Sequence, residues 1–110
     1  MPNHYFENII INDKDIVLTS LNGPEHTIID GNHIGRTVVI ENGITNEFVI
    51  SDFNIRNGIT SNENYVGGIR VEDSSPKIIN NIIEDNYSDS WYGKTIGIGL
   101  YNPSSIISNN

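Results

Sequence analysis

The chain has 110 residues and a formal net charge of −8 at pH 7, with 14 Asp and Glu against 6 Lys and Arg. This length accommodates a single domain, residues 1–110, with a thin core. The negative charge repels phosphate backbones and argues against nucleic acid as a partner. The absence of cysteine excludes disulfides, thiolate catalysis and cysteine-ligated zinc.

The start of the chain has neither a basic segment nor an apolar run, so it shows no signal peptide. No stretch approaches the roughly 20 apolar residues of a spanning helix, and we expect no membrane insertion. The composition is rich in Ile, with 21 residues, and in Asn, with 17, while Ala is absent. Because β-branched residues favour strands and Asn favours tight turns, this composition predicts short strands joined by sharp corners.

Short apolar runs that end in Asn, Gly, Asp, Ser or Pro recur along the chain, and none has the helical period of 3.6 residues. The sequence therefore predicts an all-β fold. The predicted strands are, in chain order, Asn8–Ile11, Ile16–Thr19, Thr27–Ile29, Thr37–Ile40, Phe48–Ile50, Phe53–Ile55, Gly68–Val71, Lys77–Ile79, Ile82–Ile83, Ile96–Leu100 and Ser105–Ile107.

The predicted strands and corners recur at steps of 26 to 31 residues, a spacing that indicates a solenoid. Three series of positions carry this repeat. They are Ile11, Ile40, Val71 and Leu100 (steps of 29, 31 and 29), the corner residues Ser20, Ser51, Asn80 and Ser108 (31, 29 and 28), and Ile29, Ile55 and Ile83 (26 and 28). Three strands per period, held in phase, predict a three-sided coil whose Ile side chains stack on those of the next coil.

Several stretches match a known repeat unit: Tyr5-Phe6-Glu7-Asn8-Ile9, Leu18-Thr19-Ser20, Gly23-Pro24 before Thr27-Ile28-Ile29-Asp30-Gly31, and Gly67-Gly68-Ile69 through Ser74-Ser75-Pro76 to Asn80-Asn81-Ile82-Ile83-Glu84-Asp85-Asn86. With them, the whole chain resembles the right-handed parallel β-helix repeat proteins of the pectate-lyase-like superfamily. The resemblance implies a right-handed, single-stranded parallel β-helix of about three to four rungs, in a secreted or cell-surface bacterial protein. Because family members usually carry an upstream strand and caps, we expect an uncapped segment of a longer β-helix that self-associates through its exposed ends.

The longest predicted corners lie on one side of the coil, after the third strand of each period, and they carry aromatic residues. These insertions are Gly31–Arg36, Gly58–Gly67 and Tyr87–Thr95. In the resembled enzymes, a groove between such loops and the adjoining sheet holds a polysaccharide, and aromatic rings suit that ligand. The candidate ligand-binding residues are Tyr65, Arg70, Glu72, Trp91, Tyr92 and Tyr101.

Strand alternation supports this choice by sending alternate side chains to opposite faces of the sheet. It predicts Ile69, Val71, Ile98 and Leu100 as inward-facing and Arg70, Glu72, Gly99 and Tyr101 as outward-facing. The alternative is that these polar and aromatic side chains only solvate the outer face and cover strand ends.

Three acidic residues, Glu41, Glu72 and Asp73, occupy nearly equivalent repeat positions, so stacking would bring them close enough to bind Ca²⁺. A lyase of the resembled type would use Ca²⁺ together with a Lys or Arg base, and Arg70 is the only candidate for that base. The alternative for these groups is solvated surface charge. The sequence assigns no catalytic residue and no metal site, and Ca²⁺ is the one cofactor left open.

Three histidines and four corner asparagines complete the set of candidate residues: His4, His26, His33, Asn80, Asn81, Asn109 and Asn110. The histidines fall in predicted turns and lack the spacing of a zinc site. The asparagines suit corners because Asn adopts left-handed backbone conformations and bonds along a stack. Asn86-Tyr87-Ser88 matches a glycosylation acceptor, to which we assign no role.

We expect, first, a structural or carbohydrate-interacting β-helix segment without a complete active site, so that the isolated chain is not an enzyme. The second hypothesis is the partial core of a polysaccharide lyase or a related polysaccharide-active enzyme. The third is a module that assembles end to end. Polysaccharide and further copies of the chain are thus the expected partners.

Overall fold

A computed structural model of the protein describes residues 3–60, 67–88, 97–101 and 106–108. These ranges form strands and turns, and they include no helix long and apolar enough to cross a membrane. The strands are β1 (Asn3–Phe6), β2 (Ile9–Asn12), β3 (Val17–Thr19), β4 (Thr27–Asp30), β5 (Val38–Glu41), β6 (Val49–Ser51), β7 (Asn54–Arg56), β8 (Ile59–Thr60), β9 (Ile69–Glu72), β10 (Lys77–Ile79), β11 (Ile82–Glu84), β12 (Tyr87–Ser88), β13 (Ile98–Tyr101) and β14 (Ile106–Ser108). The all-β prediction is confirmed.

In the described ranges, the strands build three four-stranded parallel sheets. Sheet A has the order β1-β4-β7-β11, sheet B the order β2-β5-β9-β13, and sheet C the order β3-β6-β10-β14. Because the chain visits the sheets in turn, each passage adds one strand to each sheet. We call β1–β3 the first level and β4–β6 the second. This architecture is consistent with a parallel β-solenoid.

The strand register confirms two of the three predicted series. The residues paired in order are Ile11, Ile40, Val71 and Leu100 in sheet B, and Ile29, Ile55 and Ile83 in sheet A. The corner series is wrong by one residue at two places, because Ser51 pairs with Thr19 and Ile79 in sheet C. Ser20 and Asn80, the predicted partners, lie just past their strands, whereas Ser51 still belongs to β6.

Asx residues in left-handed conformation form most of the corners. In the described ranges, seven non-glycine residues with positive φ directly follow a strand: Asp13, Asn42, Asp52, Asn57, Asp73, Asn80 and Asp85. Asp and Asn tolerate this conformation, so they can end a strand and redirect the chain within one residue. The corner role predicted for Asn80 is confirmed, whereas Asn109 and Asn110 lie outside the described residues.

The core is a column of aliphatic side chains that point into the coil from all three sheets. Its fully buried members include Ile40, Ile50, Ile55, Ile69 and Ile78, together with Phe48 from a corner. Burial of each such side chain contributes about 1.5–3 kcal/mol. Leu100, predicted to face inward, is in register with buried Val71 but is 41% exposed. It lies on β13, the last strand of sheet B in the described chain, so its other side is not covered by a further strand.

Two of the three predicted insertions contain short strands. β8 and β12 pair in parallel and form a two-stranded sheet at the base of the insertions. The two ends of the Gly58–Gly67 insertion are in close backbone contact, because a Cβ added to Gly58 would overlap the carbonyl of Gly67. The sequence predicts only corners here, because two-residue strands carry too little periodicity to be recognised in a sequence.

Candidate functional site

The outer face of sheet B carries the described part of the predicted binding surface. Ile69 and Val71 are buried in the core, so Arg70 and Glu72 point outward from β9 as predicted. The guanidinium Nη2 of Arg70 donates to Glu72 Oε2 at 3.1 Å. Arg70 is nevertheless only 8% exposed, whereas Glu72 is partly exposed. Arg70 therefore lies at the floor of this face, and Glu72 is the group that a ligand can reach.

A line of polar residues runs across sheet B along the stacking direction. Asn12, Glu41 and Glu72 are paired in register on β2, β5 and β9. Asn12 Nδ2 donates to Glu41 Oε1 at 3.3 Å. Neighbouring strands lie about 4.8 Å apart, so the three side chains form a regular polar row. We call Asn12, Glu41 and Glu72 the sheet B row.

Glu41 and Glu72, two of the three acids considered for Ca²⁺, are direct cross-strand neighbours in this row. Asp73, the third, occupies the left-handed corner that follows Glu72. Within the residues that the structure describes, no group of three or more His, Asp or Glu side chains is placed to hold a metal ion. The Ca²⁺ site stays a prediction.

The structure describes only part of the remaining predicted ligand-binding residues. Tyr65, Trp91 and Tyr92 are outside the described residues. The backbone of Tyr101 continues the row, because it pairs with Glu72 at the end of sheet B. The structure thus places Arg70 and Glu72 on one face, with Tyr101 in register with Glu72 on the next strand.

Sequence reasoning missed a second polar cluster, centred on Asp30 at the end of β4 in sheet A. The Asp30 carboxylate is 3% exposed and accepts three hydrogen bonds. Its donors are His4 Nε2 (2.6 Å), the backbone N–H of Asn32 (2.8 Å) and Asn57 Nδ2 (3.0 Å). Burial raises the pKa of the Asp30 carboxyl, but the hydrogen bonds from His4, Asn32 and Asn57 outweigh it and hold the pKa below its usual range.

His4 corrects one prediction, because it lies on β1 and not in a turn. Its ring stacks on Phe6 with the centroids 4.5 Å apart. Its partner Asp30 is 26 residues away, on the next strand of sheet A. The register of β1 on β4 brings them together, and β1 has no β-branched pattern from which it could be recognised in the sequence.

The same face of sheet A continues with an Arg-Glu pair. Asn54 Nδ2 donates to Glu84 Oε1 at 2.8 Å, and Arg56 Nε donates to Asn54 Oδ1 at 3.2 Å. The closest approach of Arg56 to Glu84 is longer, at 3.9 Å. Sheet A therefore carries an Arg and a Glu much as sheet B does, which supplies a matched control for tests of the sheet B row.

Two buried asparagines tie neighbouring levels together from inside the coil. Asn81 accepts from the Phe53 N–H at 3.0 Å and donates to the Ile50 carbonyl at 3.1 Å. Asn86 accepts from the Gly58 N–H at 2.8 Å and donates to the Ile55 carbonyl. Because its amide is buried and hydrogen-bonded, Asn86 is not an accessible glycosylation acceptor in the folded chain. These contacts satisfy backbone groups that the sharp corners leave unpaired.

No family model, curated protein or solved structure matches this chain. Functional inference therefore rests on the geometry of the two polar faces.

Proposed function

We propose that the chain is a right-handed parallel β-helix segment of about three to four rungs, of the pectate-lyase-like kind, and that it serves as a rigid carbohydrate-binding scaffold. In this proposal the sheet B row is the polar part of the binding surface, and the chain belongs to a secreted or cell-surface bacterial protein. The stacked, in-phase strands and Asx corners support the fold. The composition of the outer face of sheet B supports the ligand class.

The observation that carries the proposal is the row itself. Asn12, Glu41 and Glu72 come from three successive strands and lie in register on a single face. Two contacts orient them, the Asn12–Glu41 hydrogen bond and the Arg70–Glu72 pair. Amide and carboxylate groups that are spaced at the strand separation suit a linear polymer with repeated hydroxyl groups, because each level offers the same kind of hydrogen-bond partner.

The charge of this face favours a neutral sugar over a uronate. Glu41 and Glu72 are adjacent, and the guanidinium of Arg70, the nearest cation on β9, is already paired with Glu72. The chain as a whole carries a charge of −8. An acidic polymer would meet like charge on this surface unless Ca²⁺ bridged the carboxylates.

The test is a titration with neutral and acidic oligosaccharides, with and without Ca²⁺. Binding is measured by calorimetry and by the fluorescence of the single tryptophan, Trp91. We expect saturable binding of a neutral oligosaccharide without Ca²⁺. Binding should weaken about tenfold or more in Glu72→Gln, because a charge-assisted hydrogen bond is lost. Glu84→Gln, the same change on sheet A, should bind like the parent.

Three outcomes would count against the proposal. They are no binding by the folded protein, equal weakening by Glu72→Gln and Glu84→Gln, and binding confined to acidic sugars with Ca²⁺. Cleavage of an acidic polymer that requires Ca²⁺ and is lost in Arg70→Ala would instead favour the partial core of a polysaccharide lyase.

A further inference from the structure

The sequence contains three Asn-Gly pairs, at residues 22–23, 42–43 and 57–58. In such a pair the backbone nitrogen of glycine can attack the side-chain carbonyl carbon of asparagine, because glycine has no side chain to hinder the approach. A new C–N bond closes a five-membered succinimide ring, and the side-chain nitrogen leaves as ammonia with the proton of the glycine N–H. Water then opens the ring at either carbonyl to give Asp or isoaspartate. Asparagine is a labile residue for this reason.

Two of the three pairs occupy equivalent backbone sites. Asn42 directly follows β5, and Asn57 directly follows β7. Among the described strands, β5 and β7 each have a neighbour on both sides, whereas β3, which precedes Asn22, ends sheet C. Asn42 and Asn57 are both left-handed, with φ of 64° and 58°. A comparison of these two pairs therefore isolates the effect of the surroundings, because the dipeptide is the same and the backbone φ nearly so.

Hydrogen bonds and packing hold the Asn57-Gly58 pair in place. Asn57 Nδ2 donates to Asp30 Oδ2 at 3.0 Å. The N–H of Gly58, which would be the attacking group, donates to the buried Asn86 Oδ1 at 2.8 Å. Gly58 is itself buried, and a Cβ added to it would overlap the backbone of Gly67. Ring closure at Asn57 would have to break both hydrogen bonds in a space that is already filled.

The Asn42-Gly43 pair is exposed and lies in open space. Among the residues that the structure describes, the Asn42 side chain has no hydrogen-bond partner, and a Cβ added to Gly43 would meet nothing within 4 Å. The Gly43 N–H donates to the Asp73 carbonyl at 3.0 Å, so this bond has to open before the nitrogen can attack. Opening at an exposed corner costs less free energy than opening in the core.

We propose that Asn42 is a site of spontaneous deamidation in the folded protein, with water as the co-reactant, and that the fold protects Asn57. Asp13 and Asp73 occupy the left-handed corners of the two adjacent levels, directly after the register partners of Glu41. Deamidation of Asn42 to Asp thus completes a column of three acidic corner residues beside the sheet B row. Like charges at the strand spacing of about 4.8 Å repel each other. Isoaspartate would insert an extra carbon into the backbone of the corner.

Incubation of the folded protein at mildly alkaline pH, followed by tryptic peptide mapping with mass spectrometry, tests the proposal. Cleavage after Arg36, Arg56 and Arg70 places Asn42 and Asn57 on different peptides. We expect Asp and isoaspartate to form at Asn42 at least about tenfold faster than at Asn57, because the buried bonds of Asn57-Gly58 open far less often. The matched control is the same chain in concentrated urea, where both sites should convert at similar rates because the dipeptides are identical.

A rate at Asn42 that does not exceed the rate at Asn57 in the folded protein would overturn the proposal. So would an unreacted Asn42 after a period in which both sites convert in urea. Circular dichroism before and after the incubation verifies that the reaction took place in folded protein. This inference is independent of carbohydrate binding, because the peptide map contains no sugar and the sheet B titration can succeed or fail whatever the state of Asn42.

Discussion

The first and second levels of the stack use similar side chains but bury them to different extents. Ile40 on β5 is fully buried, whereas its register partner Ile11 on β2 is only partly buried. The two residues have the same chemistry, the same column and the same inward direction. They differ because, among the strands that the structure describes, β5 has a neighbour on both sides and β2 on one. The comparison shows that stacking creates the core of this protein, since no single level can bury its own isoleucines.

The largest predicted effect sharpens this comparison directly. Ile40→Ala should lower the free energy of unfolding by about 2–5 kcal/mol, because it leaves a cavity between two filled levels. Ile11→Ala should cost roughly half as much or less, because its site is already open on one side. Urea unfolding of the two variants measures both values. Equal losses would mean that Ile11 is covered as fully as Ile40 and would contradict this comparison of the two levels.

A smaller effect tests the hydrogen bond between His4 on the first level and Asp30 on the second level. The pKa of Asp30 is lowered in the folded chain, so the carboxylate stabilises the fold above pH about 4, and this contribution is lost as the pH falls through the folded pKa. Asp30→Asn should therefore be less stable than the parent at pH 7 by about 1–2 kcal/mol and approach it in strong acid.

Urea unfolding at a series of pH values measures this convergence. The control is Asp85→Asn, the same change at an exposed left-handed corner that also suits Asn. A difference between Asp30→Asn and the parent that stays constant from pH 7 to pH 2 would show that ionised Asp30 does not stabilise the fold.

The repeat was predictable because backbone stacking forces inward apolar residues into columns. The series through Ile40 in sheet B and the series through Ile55 in sheet A could both be found by counting residues. In each series, every step returns to the same position on the coil. Most of the predicted strands end at an apolar residue, whereas several strands of the structure extend one residue further. β5 and β9 both end on Glu, because the backbone ladder continues to the left-handed corner whatever the side chain.

The Asp30 cluster could not be predicted, because its members are brought together only by strand register. His4 and Asp30 are 26 residues apart, and Asn57 lies a further 27 residues along the chain. A one-residue slip of β1 on β4 would send His4 to the opposite face. Sheet B was more accessible to prediction, because Arg70 and Glu72 alternate with core residues on one strand. The burial of Arg70 could not be foreseen. Strand alternation predicts the face to which a side chain points, but not how far neighbouring residues cover that side chain.

The parallel, in-register stacking of the levels is tested most directly by a disulfide engineered between two of them. The chain has no cysteine, and Thr19 and Ser51 are register partners whose hydroxyls lie 2.9 Å apart on the outer face of sheet C. Thr19→Cys/Ser51→Cys should form a disulfide rapidly in the folded protein under mild oxidation, because Cα atoms on neighbouring strands fall within bridging distance.

The control, Thr19→Cys/Lys77→Cys, places the second cysteine on β10, two strands away in the same sheet. Two strand spacings alone amount to about 9.6 Å, and Lys77 also lies two residues along the strand from Ile79, the residue in register with Thr19, so it is too far to bridge. Peptide mapping should find the 19–51 link and no 19–77 link. Equal formation of both, or of neither, in folded protein would contradict the stacked architecture.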